Sequence, residues 1–409
     1  MNEFASLHPI LAVALPKILV LLFVLLTSLA YLTWFERKVV AHIQARWGPY
    51  RVGPHGLLQP LADGLKFLFK EDVTPAGADK FVYFLAPFLA MSLAITSIAV
   101  IPFGPKEFTV FGQSTPLAIT NLNIGLLILF AITSMGVYGV ALAGWSSNSK
   151  YPLLGGLRSS AQMVSYELAL TMSVVGVILM AGTFNLSEIV QSQQGFHWGM
   201  VPRWNLIGWP MPQIFLGFPL FFTAAVAETN RAPFDLAEAE SELVAGFHTE
   251  YASFKFAMFF MAEYASMITV SCLATILFFG GWLSPFPQTT GWAWTHYIPT
   301  AAFGLAGLAL IIHGVRYLTM FGRIVLPFLG VVLCALAALF AKAGVIEFVQ
   351  GPFWFLLKIA FFLFIYVWVR GTLPRFRYDQ LMGFGWKLLL PLSILNVVIT
   401  SLAIVLTQR

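Results

Sequence analysis

FAMFFMAEYASMITVSCLATILFFGGW, residues 256–282, contains a single charged side chain, Glu263. Crossing about 30 Å of hydrocarbon takes about 20 helical residues, so this stretch reads as a transmembrane helix. Its lone carboxyl is the informative exception. An ionisable group at that depth is costly and normally faces the protein interior or a hydrated cavity, with proton relay as the leading functional reading.

Working outward, nearly charge-free stretches of similar length recur toward the N-terminus at Lys17 to Trp34, Phe81 to Phe103, Leu122 to Trp145, Ala161 to Thr183 and Leu206 to Ala227. On the C-terminal side they lie at Tyr297 to Val315, Ile324 to Ala341, Phe353 to Val369 and Leu388 to Leu406. With 256–282 they predict about ten transmembrane helices and an all-α, polytopic fold forming a single membrane domain over 1–409. The overall composition agrees: 59% hydrophobic residues, 10% charged and a mean hydropathy of +0.82 exclude an ordinary soluble globule.

Positive residues are retained on the cytoplasmic side, which sets orientation. Lys17, Lys106, Arg203, Lys342, Lys358 and Arg409 fall on the side of the termini, and the other 17 of the 23 lysines and arginines fall opposite. Both termini are therefore expected outside. The net charge of +5 records this asymmetry; no basic stripe with interleaved aromatics suggests nucleic acid as a partner. The first apolar stretch runs straight into Glu36-Arg37-Lys38 without a small-residue cleavage site, so it reads as a retained helix and not a signal peptide.

Two inner loops hold most of the remaining charge. In the first, from Glu36 to Asp72, Gly48-Pro49, Gly53-Pro54 and Gly56 force a bend. Leu57, Leu61, Leu65 and Leu68 then recur at helical spacing, predicting an amphipathic helix lying in the membrane interface. A patch of positive charge after a helix is commonly only a stop-transfer signal, but so sculpted a loop suits the wall of a cavity. The second, Ala227 to Phe256, packs six of the chain's 18 carboxylates, and Asp235 three residues before Glu238 is a helix-start signal. Glu238 and Glu242 share a helix face and repel, whereas Glu240 points elsewhere. A solvated acidic face is the plain alternative, and carboxyls placed in or beside the flanking spans, Glu167, Glu228 and Glu263, weigh against it.

Other chemistry finds little support. Cys272 and Cys334 lie in apolar spans and read as buried hydrophobes, and two cysteines are too few for an iron–sulfur cluster. Glycines and prolines between His42 and His55 prevent one helix from presenting both to a haem, and His313 has no histidine partner near it in sequence. Lys358, near the outer boundary, reads as a snorkelling side chain. No metal-ligand spacing, phosphate loop or nucleophile elbow occurs.

ERK at Glu36 to Lys38, QARWGP at Gln44 to Pro49, GLLQPLADGLK at Gly56 to Lys66, KED at Lys70 to Asp72, the 25 residues from Ala227 to Tyr251 and TLPRFRYDQLM from Thr372 together carry a specific resemblance. Over nearly its whole length the chain resembles the family of H subunits of NADH-quinone oxidoreductases, which supply the quinone-site membrane component of respiratory complex I. The resemblance implies that Glu36, Arg37, Arg46, Asp63 and Lys66 border a quinone channel. It further implies that Glu167, Glu228, Asp235, Glu238, Glu240, Glu242, Glu250 and Glu263 form a carboxylate path for protons. Quinone would be a substrate bound at the interface with a partner subunit. Electrons would come from a neighbouring subunit's iron–sulfur cluster, since no metal, haem or cluster is expected in this chain. Implied partners are the peripheral-arm subunits at the quinone site, antiporter-like membrane subunits and the lipid of a bacterial inner membrane, with both termini periplasmic.

One departure from the family pattern is expected. Residues 291–346 add two hydrophobic spans to the family's eight, and an inserted pair preserves the sidedness of everything downstream. Two other functions stay open at this stage. A homologous subunit of a membrane-bound hydrogenase or related dehydrogenase would share these loops; an autonomous cation transporter is disfavoured by the lack of an internal repeat.

Overall fold

The computed structural model describes residues 14–105, 108–110, 113–115, 117–197, 199–208, 210–235, 245–287, 290–317, 319–342 and 345–407. Helix α1 (Leu15–Ile43) starts with proline in its first turn, and its 29 residues exceed the roughly 20 that cross a bilayer, so Glu36 and Arg37 fall in its last turns. The bent loop 44–58 follows, then α2 (Gln59–Phe69). In α2, Leu61, Leu65 and Leu68 are all exposed, which leaves an apolar stripe free for the membrane interface as expected. Gly56 has φ +76°, and a Cβ there would lie 2.5 Å from the carbonyl oxygen of Pro49, so this turn admits only glycine.

Next come α3 (Lys80–Ile98), whose first amides are capped by Asp79, then α4 (Gly125–Ser146) and α5 (Lys150–Ala181), which stops at the left-handed Gly182. The short α6 (Leu186–Ser192) follows after a brief connection. It is followed by α7 (Gly217–Glu228), α8 (Ser253–Phe278), α9 (Ile298–Val315), α10 (Met320–Phe340) and α11 (Val345–Thr372). The chain closes with α12 (Tyr378–Phe384), a π-helical turn at Gly385–Leu389, and α13 (Leu390–Thr407). Two small antiparallel hairpins complete it, β1 (Phe108–Val110) with β2 (Gln113–Thr115) and β3 (Phe196–His197) with β4 (Val201–Pro202).

Nine helical runs among the described residues are long and apolar enough to span a membrane: α1, α3, α4, α5, α8, α9, α10, α11 and the continuous α12–α13. The fold is the expected polytopic helical bundle. The expected tenth, Leu206 to Ala227, is shorter than its hydropathy suggested, because only Gly217–Glu228 is helical. Pro210 and Pro212 lack the amide hydrogens a helix needs. Instead the chain folds back on itself at 205–214, where Gln213 N donates to Asn205 O at 3.2 Å and Ile214 N to Leu206 O at 2.9 Å.

Burial shows which helix is central. In its most apolar window α8 is 78% buried, against 17% for α1, α9 and α10, so α8 is the axis around which the others pack. Its C-terminal end meets a dense aromatic cluster in which Phe218, Phe278, Phe279 and Phe362 contact edge to face, with centroids 5.1–5.5 Å apart. α9 and α10 form a tight hairpin. A Cβ on Gly307 would lie 2.7 Å from Gly330 O, and one on Gly314 2.4 Å from Pro327 Cδ, so small residues let these backbones approach as membrane helices do.

Candidate functional site: a buried arginine between two carboxylate groups

Just beyond the end of α7 the chain turns inward, and Arg231 is left only 5% exposed. Its Nη2 donates to the Glu36 carboxylate on α1 and its Nη1 to the Glu263 carboxylate on α8. Nη2 also donates to the Tyr264 hydroxyl at 3.1 Å, and that hydroxyl donates to Glu36 Oε2 at 2.8 Å. The guanidinium lies 4.9 Å from the centroid of the Tyr264 ring. Arg370, in the last turn of α11, closes on the other oxygen of Glu36. Two cations and two anions thus balance in a site assembled from α1, α8, α11 and the loop after α7. Such a site adds little net stability over an apolar one, yet removing one member typically costs about 3–5 kcal/mol because it strands the other.

Glu263 faces two ways. Besides Arg231 it lines a cavity of about 100 Å³ shared with Glu228, Asn230, His248 and Ser266. The rest of the wall is mostly apolar, from side chains such as Leu93, Ile132, Met163 and Phe260, so these few polar groups are where a water would be held. Burial pulls the His248 imidazole down to about 4, so it is neutral at physiological pH. Glu228 in turn lies within electrostatic range of Glu167 on α5, whose carboxylate accepts from Ser134 on α4. Glu36, Arg231, Glu263, the cavity, Glu228 and Glu167 therefore form one sequence of polar groups through an otherwise apolar bundle.

The remaining expected residues are placed as follows. Arg37, one residue from buried Glu36 and so turned about 100° around the helix, points outward. Its Nη1 donates to Asp63 Oδ2 at 2.7 Å, which ties α1 to α2, while Gln59 Nε2 donates to the other Asp63 oxygen at 3.0 Å. Arg46 is exposed, with its Nε donating to Gln44 Oε1 at 2.8 Å, and Lys66 is exposed on α2. Asp235 accepts from Arg375 Nη2 at 3.2 Å; burial pushes its carboxyl up, opposed by Arg375 and Arg231. The backbone carbonyl of Glu250 accepts from the Tyr83 hydroxyl at 2.7 Å. Glu238, Glu240 and Glu242, with the helix start expected between Asp235 and Glu238, lie outside the described residues.

Three groups depart from expectation. Arg231 and Arg370 counted in the sequence only toward sidedness; a lone arginine between an apolar helix and an acidic loop was the available signal. Lys358 does not snorkel: its ammonium is turned inward, donating to the carbonyls of Phe279 at 2.7 Å, Gly281 at 2.9 Å and Leu283 at 2.7 Å, and sits 4.3 Å over the Trp204 ring. It caps the end of α8, where carbonyls lack amide partners. His313 does have a histidine partner, far away in sequence: its Nε2 meets His55 Nε2 at 2.7 Å. No group of three or more His, Cys, Asp or Glu able to hold a metal occurs among the described residues.

Known proteins place the chain in context. A family model described as NADH dehydrogenase matches residues 16–401. The chain is 51% identical to NADH-quinone oxidoreductase H subunit 1 of Solibacter usitatus over 397 residues, 97% of this chain and 98% of that one. It is 51% identical to H subunit 2 of the same enzyme in Koribacter versatilis over 411 residues, covering 98% and 99%. It is 45% identical to the H subunit from Thermomicrobium roseum over 389 residues, covering 94% and 93%. With matches that run nearly end to end on both chains, this multi-pass membrane protein belongs to the NADH dehydrogenase family and is a relative of the H subunits of NADH-quinone oxidoreductases.

Proposed function

We propose that this chain is the H subunit of a proton-translocating NADH:quinone oxidoreductase, respiratory complex I, in a bacterial inner membrane with both termini periplasmic. In this reading α1, α2 and the loop 44–58 form much of the quinone channel against a peripheral-arm subunit, and antiporter-like subunits adjoin elsewhere in the membrane. The helices within 291–346 are an addition to the family's bundle. The single observation that carries the functional reading is Arg231, which holds a carboxylate of the channel helix, Glu36, and a carboxylate of the cavity wall, Glu263, in one grip.

Electrons arrive from the neighbouring subunit's iron–sulfur cluster, and this chain's residues answer the charge they bring. Reduction of quinone to quinol takes up two electrons and two protons, and until the protons arrive the added electrons leave negative charge near the inner end of α1 that competes with Glu36 and Glu263 for Arg231. Loosened from the guanidinium in a nearly dry site, Glu263 becomes a better base and takes a proton from the cavity. Glu228 and Glu167 then exchange protons with the same cavity, and the family resemblance assigns Asp235, Glu238, Glu240, Glu242 and Glu250 to the same proton path. Coupled carboxyls of this kind titrate as a group, which suits them to pass a charge change onward.

Glu228 gives the cleanest test, because it lines the cavity and is in no ion pair among those found in the described residues. Glu228→Gln keeps the shape and removes the titratable proton. In assembled complex reconstituted into sealed vesicles, quinone-dependent turnover and the proton gradient should both fall about tenfold, a barrier rise of about 1.4 kcal/mol. Electron entry to an artificial soluble acceptor should be unchanged. Full turnover with full pumping in the assembled variant rejects the relay.

A further inference from the structure

The histidine contact belongs to a larger arrangement that neither the ion cluster nor the carboxylate path uses. His55 sits at the apex of the loop 44–58 with φ 53° and ψ 22°, a left-handed conformation that few residues with a side chain adopt. Such a residue persists when its surroundings over-determine it, and here its N–H, its carbonyl and its Nε2 are each held from outside the loop. Its N–H donates to the Tyr317 hydroxyl at 3.0 Å, at the end of α9. Its carbonyl accepts from Trp34 Nε1 on α1 at 3.3 Å. Its Nε2 meets His313 Nε2 on α9 at 2.7 Å. Tyr317 is itself 7% exposed and anchored from α10, whose Arg323 Nε donates to its carbonyl at 2.7 Å. Edge-on ring contacts with Tyr50, 5.7 Å away, and with Tyr317, 5.0 Å away, complete the setting of the imidazole.

We infer that the α9–α10 hairpin is a positioning element for the loop 44–58, with His313 and Tyr317 clasping His55 so that α1 and the loop hold one shape, and that this clasp opens in acid. Elsewhere the hairpin presents mostly exposed apolar side chains, such as Leu305, Leu308, Ile312, Ile324 and Phe328. The clasp is where its polar chemistry meets the rest of the protein. The consequence for quinone rests on the function proposed above; the consequence for the loop does not.

The acid sensitivity follows from the bond. Two imidazole nitrogens facing each other share one hydrogen bond while at least one ring is neutral; with both protonated, two N–H donors oppose each other without an acceptor. The groups facing the pair are Lys38 on α1, Tyr50 on the loop and Tyr317 from the hairpin, with Arg323 held on the Tyr317 carbonyl, so the charge acting on His55 from Lys38 is positive. Burial, then His313 and Lys38, pull His55 downward, which keeps the clasp shut at neutral pH.

His313→Ala removes the partner alone. His55→Asn retains a residue at home in the left-handed region but cannot span to α9. In the assembled complex, amide exchange over residues 48–58 should quicken about tenfold in each variant, and no further in the double variant, since both remove the same contact. KM for quinone should rise about three- to tenfold with kcat within about twofold. The ratio of variant to wild-type KM should shrink toward one as pH falls, because acid opens the wild-type clasp as well. Unchanged exchange in both single variants, or additive effects in the double, overturns the clasp. Faster exchange with an unaltered KM leaves the clasp standing and overturns the placement of the loop on the quinone channel.

Discussion

Arg231 shows how little a residue's type reveals about its work. In the sequence it is one positive charge among 23, yet in the fold it is nearly sealed from solvent and joins residues 195 positions upstream and 32 downstream. His248 carries a prediction of its own at this scale. Its imidazole titrates near 6.5 when free and about 4 in the cavity wall, where burial disfavours the cation. Below 6.5 the unfolded chain binds the proton that the folded chain refuses, so stability is whole above that pH and drains away between 6.5 and 4. The ceiling is about 3 kcal/mol at 1.36 kcal/mol per unit. His248→Gln, which cannot charge, should flatten the fall of Tm across that window in the detergent-solubilised complex. An identical acid dependence in the two proteins would refute the assignment.

At the scale of elements, α8 is held by two cations, one from the loop after α7 and one from α11. Arg231 reaches Glu263 in its N-terminal half, and Lys358 of α11 donates to three carbonyls beyond its C-terminal end. Lys358→Met keeps most of the apolar stem but strands those carbonyls, and an unsatisfied buried acceptor costs about 1–3 kcal/mol. A Tm several degrees lower is expected, with quinone reduction per assembled complex unaffected; an unaltered Tm would show that water replaces the ammonium at no loss. The short α7 teaches a related lesson. Its segment passed on hydropathy, but Pro210 and Pro212 were legible in the same residues, and covalent constraint overrides composition where a helix must satisfy its own backbone.

For the whole molecule, the orientation makes the last prediction. Single cysteines at Gln194, on the side of the termini, and at Glu71, in the first inner loop, should label in opposite fashion with an impermeant thiol reagent. Gln194→Cys should react from outside intact cells and Glu71→Cys only after lysis; labelling of Glu71→Cys from outside would invert the arrangement. The helical membrane fold, the spans apart from one and the amphipathic α2 were all readable from the chain. Each is a local matter, because a helix in lipid satisfies its own hydrogen bonds and its apolar length is a property of consecutive residues. What only the tertiary structure decided is who meets whom. Glu36 turned inward while Arg37 turned out, Arg231 and Arg370 closed on Glu36, Glu263 came to share a cavity with Glu228, and His55 met His313 across 258 positions. Those meetings depend on how helices pack and rotate against one another, and hydropathy, which records only the contrast between lipid and water, carries no trace of them.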